Sequence, residues 1–226
     1  MQEDIGQILL ACVEPKSGED RLLNEKKIRE YKKQSPQEFV EIMAQKLNDT
    51  SLKENARHLA GVLFKNSAKG GDDQPLWYSF APEKKEELKT MILTPLADQS
   101  RSVRLSACSC VATVACLELP KGEWTEIIPN LSSNSYNENY EVRESSLKTL
   151  GYICEELDSN VLSEENTNLV ISALLEALTT NKENSELMKI SIEAVMHSLS
   201  FAENIFKQGK GDIIIQRVLE CAMYEA

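Results

Sequence analysis

The chain has 226 residues, 42% hydrophobic and 27% charged, with a formal net charge of −11. That balance belongs to a folded chain rather than a disordered one, and the length is enough for one or two full cores. The acidity argues against general nucleic-acid binding and permits basic partners. Gln2, Glu3 and Asp4 put acid where the basic n-region of a signal peptide would stand. The least polar run, Leu105 to Leu119, is diluted with Ser, Thr and Cys and is read as core, not as a membrane span. Cys108 and Cys110, two apart on a predicted helix, point roughly 200° apart and cannot chelate one ion together. Cys12, Cys116, Cys154 and Cys221 fall among apolar helical residues and read as small core side chains of a reducing compartment.

Asp4 to Val13 is predicted as a short amphipathic helix, ended by Pro15 and Gly18, and Glu19 to Gln34 as a second. Ser35, Pro36 and Glu38 form a strong start signal for a helix carrying Phe39, Val40, Ile42, Met43 and Leu47. Ser51 to Ser67 is its partner. Ser51 and Glu54 have capping-box spacing, Leu52, Ala56, Leu59, Ala60 and Leu63 form an apolar stripe, and Arg57, Gly61 and Lys65 fall on a line nearly opposite it. Lys69 to Ala81 reads as a loop whose Trp77, Tyr78 and Phe80 tuck against the next helix pair as satellite core. Pro82 starts the following helix, which Pro95 kinks or ends. Ser102 to Leu117 is a small-residue helix suited to close packing. Pro120 is read as opening a helix through Trp124, Ile127, Ile128 and Leu131, with Glu141 to Leu157 as partner. Glu164 to Thr179 pairs with Glu186 to Phe206, and Asp212 to Tyr224 starts one more helix. No segment alternates with the period of a strand.

The second helix of each pair repeats. Ala56-Arg57, Val103-Arg104, Val142-Arg143 and Met188-Lys189 occupy equivalent places, 47, 39 and 46 residues apart. Ala60, Ala107, Ser146 and Ile192 follow three positions after each basic residue, and Phe64, Val111, Leu150 and Met196 seven after. A two-helix unit at this period is the signature of HEAT or armadillo solenoids, and the lack of a third short helix favours HEAT. The expected architecture is all-α, a right-handed solenoid of about five and a half hairpins spanning 1–226 as one segment. The last helix has no partner helix within the chain and is read as a cut end.

Three stretches carry a resemblance to the importin-beta family of karyopherins. They are Glu19 to Ile28 with Ser35 to Phe39 and Asn55 to Ser67; Cys116 to Pro120 with Trp124 to Leu131; and Leu150 to Cys154. The likeness covers essentially the whole chain, residues 19–98 resembling the family's N-terminal, Ran-binding domain, and it implies the N-terminal fragment of a longer receptor. In such receptors the second helices of early repeats line a concave face that binds the small GTPase Ran in its GTP form. Lys65 and Asn66 match the family's Lys-Asn pair, and Arg104 and Arg143 sit on equivalent helices.

The resemblance implies a convex site as well, where phenylalanines of FG-repeat nucleoporins bind. Ile171, Ser172 and Leu175 on one helix and Ile213 and Ile214 on the next match it, although Lys210 stands where the pattern leads to an acid. Importin-alpha or basic cargo is expected to bind through parts beyond these residues, in cytoplasm, nucleus and nuclear pore. No cofactor, metal, nucleic acid or membrane is expected. His58 and His197, the only histidines, stand mid-helix without a nucleophile motif and read as partly buried structural residues. Gly209 to Asp212 lacks the spacing of a phosphate loop, and no catalytic site is read. The competing expectation is a generic HEAT scaffold, such as a phosphatase subunit.

Overall fold

A computed structural model describes residues 4–70, 74–158, 160–181, 184–199, 201, 216 and 219. Among these residues the chain is all-α, with no strand and ten α-helices, built from HEAT-type hairpins. It divides into two compact units, Met1–Leu117 and Glu118–Ala226.

The first unit contains α1 (Ile5–Val13), α2 (Gly18–Gln34), α3 (Pro36–Asn48), α4 (Glu54–Lys69), α5 (Pro82–Leu93) and most of α6 (Arg101–Glu118). Local chemistry sets these limits. Asp4 caps α1 by accepting from the Gly6 N–H, Ser17 caps α2 by accepting from Asp20, and prolines stand at the starts of α3 and α5. Pro95 lacks the N–H that would continue α5, and the chain tightens into a 3₁₀ turn, Thr94–Ala97. The pairs α1–α2 and α3–α4 pack as hairpins, α3 also packs on α5, and α1 lies on α4 while α2 lies on α3. The first hairpin therefore enters with its two helices exchanged relative to the later ones. Leu9, Phe39, Val40, Met43, Leu47, Phe64 and Trp77 are fully buried. Trp77 and Phe80 stack at a tilt, and the Tyr78 hydroxyl donates to the Leu117 carbonyl, which confirms the satellite core predicted for that loop.

The start of α4 departs from the capping-box expectation. Lys53 is the N-cap and no side chain bonds there. Ser51 instead donates its hydroxyl and its N–H to Asp49 Oδ1, and Lys46 reaches Oδ2 at 2.9 Å. The Ser51 hydroxyl, then the Lys46 ammonium, hold the Asp49 carboxyl down at about 2. A carboxyl lowered by folding adds stability that is present above its ordinary range, near pH 4, and is lost as pH falls toward 2. Asp49→Asn is therefore expected to flatten the acid limb of stability across that window. At neutral pH it should cost only about 0.5 kcal/mol, because water screens this partly exposed group. Urea unfolding across that pH range checks both.

The second unit contains α7 (Ile127–Asn134), α8 (Tyr140–Glu156), α9 (Glu164–Thr180) and α10 (Ser185–Ser198). The pairs α7–α8 and α9–α10 are hairpins, α7 packs on α9 and α8 on α10. Asn139, Ser163 and Asn184 cap α8, α9 and α10. Pro120 does not open a helix as predicted. It sits in a 3₁₀ turn, Leu119–Lys121, behind which Gly122 adopts φ 71°, and the Gly122 and Glu123 N–H groups bond back to Leu119 and Glu118. This is a Schellman stop, for which the left-handed position favours glycine. The next helix waits until Ile127. At Gly151 a Cβ would stand 3.1 Å from that of Ala194, so the small residues set how closely α8 meets α10.

One helix, extended through Lys121 from Arg101, is long and apolar enough to cross a membrane, but 72% of its most apolar window is buried inside the protein. Cys12, Cys108, Cys110 and Cys154 are buried and Cys116 is half-buried, and none of these five forms a disulfide; Cys221 lies outside the described residues. No group of three metal-ligating side chains occurs among the described residues. Both histidines are exposed rather than partly buried.

Candidate partner-binding faces

In the first unit, the predicted basic line of α4 does not form. Arg57 is 6% exposed; its Nε donates to the Leu47 carbonyl at 3.0 Å, and its Nη2 pairs with Asp98. Gly61 is closed off by α6, where Ser106 Oγ would stand 2.7 Å from an added Cβ. A second helix within such a stack is covered on two sides, once by its own hairpin partner and once by the next second helix. Arg57 and Gly61 lie on the second of those sides. The side left open carries Asn55, His58, Val62, Asn66 and Lys69, with Lys65 half-buried at its edge. Of the predicted residues, Asn66 thus faces solvent and Lys65 partly does. His58, Val62 and Lys69 share that open side and were not predicted there, although Asn55, His58, Val62, Asn66 and Lys69 recur at three- and four-residue spacing along one helix line.

Arg104 also departs from expectation. It is 4% exposed and donates to the Asp98 and Gln99 carbonyls at 2.7 and 3.1 Å. Those carbonyls follow the 3₁₀ turn, so the guanidinium closes the bend of its own hairpin. Burial alone would raise the Asp98 carboxyl. Hydrogen bonds from Arg57 and the Ser100 N–H, with the charges of Arg57 and Arg104, outweigh burial and hold it below the usual range.

In the second unit, Arg143 repeats the role of Arg104: Nη1 donates to the Asn137 carbonyl at 2.9 Å, and the side chain is half-buried. The three aligned arginines are therefore a real repeat whose chemistry is hairpin closure. In α10 the register slips by one. Ile192 is half-buried and Met196 is 65% exposed, while Met188, Ser191, Val195 and Ser198 are buried. Met188, not Lys189, occupies the arginine's place. The accessible face of α8 and α10 carries Lys148, which pairs with Glu193 at 2.8 Å and lies 5.3 Å over the Tyr152 ring. The Lys148 hydrogen bond overcomes desolvation and holds the Glu193 carboxyl below its usual range, with Lys189 and His197 adding attraction.

On α9, Ile171 is buried, Leu175 half-buried and Ser172 exposed. Ile171 is core, so it is not the open contact the resemblance implied. The accessible apolar side chain on this helix is Leu169, 38% exposed. With Glu164, Glu165, Asn168 and Ser172 it lines an open depression of about 600 Å³. Ile213, Ile214 and Lys210 lie outside the described residues.

Residues 25–98 match the family model of the importin-beta N-terminal domain. Importin subunit beta-1 of Arabidopsis thaliana is 26% identical over 201 residues, covering 86% of this chain and 23% of the relative. Kap95p, whose binding induces the switch loops of RanGDP to adopt the GTP-bound conformation, superposes with a TM-score of 0.84 at 25% identity, over 96% of this chain and 26% of its own. The Kap95:Nup1 complex superposes at 0.82 and 25% identity, with the same coverage. The chain thus spans about a quarter of the length of the relatives it matches. Residues 25–98 therefore match the importin-beta N-terminal domain, and nearly the whole chain is similar in fold to the HEAT-repeat solenoid of importin-beta.

Proposed function

We propose that these residues work as part of a nuclear transport receptor that binds Ran in its GTP form through the open side of α4 and nucleoporin phenylalanines through α9. The observation that supports this most is the likeness over nearly the whole chain to a karyopherin that engages Ran and, in a second structure, Nup1. On α4 the contact line is Asn55, His58, Val62, Lys65, Asn66 and Lys69. Arg104 and Arg143 support it from behind by closing their hairpins. On α9, Leu169, Ser172 and the half-buried edge of Leu175 make the apolar contact, with Ile213 and Ile214 kept as proposed neighbours. A single exposed ion pair is worth about 0–1 kcal/mol, so a stable complex needs contacts spread over several repeats. Importin-alpha or basic cargo would use parts beyond these residues, and the receptor would shuttle between cytoplasm and nucleus through the pore. This role is binding, not catalysis.

Titration with Ran loaded with GTP or GDP tests the reading. The double variant Lys65→Ala/Asn66→Ala is expected to weaken Ran-GTP binding about tenfold with an unchanged unfolding midpoint, while Arg104→Ala lowers the midpoint. Leu169→Asp should weaken a phenylalanine-glycine peptide and leave Ran untouched. Absence of Ran binding in both nucleotide states overturns the receptor reading. Equal affinity in both overturns its GTP preference.

A further inference from the structure

The net charge is not spread along the chain. Residues 1–117 hold 17 acidic and 17 basic side chains, whereas residues 118–226 hold 19 acidic and 8 basic, so the whole −11 lies in the second unit. The α9 depression stands in that acidic half, with Leu169 as its apolar contact and Glu164 and Glu165, both exposed, at its edge. The two carboxylates occupy the first turn of α9, where Ser163 accepts from the Asn166 N–H. Among the described residues, Asn168 and Ser172 are the other lining side chains, and they add no charge.

We propose that this depression selects apolar segments whose anchoring side chain is flanked by Lys or Arg, the anchor resting on Leu169 and the flanking cation on Glu164 and Glu165. The proposal rests on the nucleoporin reading of α9 and adds which phenylalanine segments that face prefers. An open surface around one partly exposed leucine buries little of an incoming side chain, so apolar contact alone discriminates weakly between segments. Charge then decides. Each exposed pair is weak, and the acidic surroundings add attraction over about a Debye length, near 10 Å at 0.1 M salt. The preference must therefore be modest and salt-sensitive.

The test uses three synthetic peptides with one phenylalanine-glycine core flanked by lysines, serines or glutamates, titrated against the whole chain by fluorescence anisotropy. At about 50 mM salt the lysine peptide is expected to bind about fivefold tighter than the serine peptide, and the glutamate peptide weakest, the three converging at about 500 mM. In Glu164→Gln/Glu165→Gln the order is expected to vanish while the serine peptide keeps its affinity; a melting curve of that variant confirms the fold. Three equal affinities in the parent overturn the charge preference and leave the nucleoporin reading standing. An order that survives the double substitution shows that the net charge acts at large, and overturns the assignment to Glu164 and Glu165. Binding by none of the three peptides overturns the nucleoporin reading itself, and this proposal with it.

Discussion

Gly61→Val is expected to destabilise the first unit by about 3 kcal/mol, seen as a lower urea midpoint with an unchanged slope. At this glycine α4 meets α6: a Cβ would stand 2.7 Å from Ser106 Oγ, 2.8 Å from Ser106 Cβ and 3.3 Å from Leu47 Cδ1. The hydroxyl can swing away, but the Ser106 Cβ is fixed to its helix and can move only with α6. The Cys110 thiol donates to the Gly61 carbonyl at 3.1 Å, so the same displacement strains that contact too. Valine adds two γ carbons to this closed space. Alanine adds only the Cβ and gains about 1 kcal/mol of helix propensity over glycine, so Gly61→Ala is expected to cost much less. Ser106→Gly should recover part of the valine penalty, since it removes the atoms the new side chain meets; the double-mutant cycle measures that coupling. An unchanged midpoint for Gly61→Val would mean that α6 does not cover this side of α4.

That contact also shows where the sequence was legible and where it was not. Helix positions followed from local signals: Pro82 starts α5, Ser163 caps α9, and Pro95 ends α5 in a 3₁₀ turn. The two-helix repeat followed from the spacing of the second helices. Faces were harder, because a periodicity argument assumes one buried side, and α4 has two. The signal for the second side was composition: Ala60, Gly61, Ser67 and Ala68 are small and all buried, and small residues on a line mark a close helix crossing. Arginine misled for a different reason. At Arg57 and Arg104 the charge is spent inside the hairpin bends, on backbone carbonyls and a carboxylate. A sequence shows the charge without showing the acceptors. On α9, apolar residues crowd too much of the wheel for the pattern to say which faces solvent. Packing on α7 and α10 leaves Leu169 outside and draws Ile171 in.

Arg57→Ala is expected to cost about 3–5 kcal/mol, the scale of breaking a buried ion pair from one side. Two acceptors lose their donor together: the Leu47 carbonyl at the end of α3, and the Asp98 carboxylate, whose side chain is only 14% exposed. Arg57→Lys should also fail, though by less, because Nε and Nη2 serve acceptors on two different segments and one ammonium on a flexible stem cannot replace that fork. Arg57→Met with Asp98→Asn is expected to be milder than Arg57→Ala: the charge left behind is gone, and an asparagine oxygen can still accept from the Ser100 N–H at 2.8 Å. The pH dependence separates this role from a partner-facing one. The folded Asp98 carboxyl lies below its ordinary value, so its contribution is present above about pH 4 and is lost as pH falls through the lowered value. Without Arg57 the largest attraction opposing burial is removed, and that acid limb should flatten or reverse. Urea unfolding of parent and variants between acid and neutral pH measures it. If Arg57→Ala kept the parent's midpoint at neutral pH and lost only Ran binding, the guanidinium would be a contact for the partner after all. The open line of α4 would then run through Arg57 and Lys65 instead of His58 and Asn66.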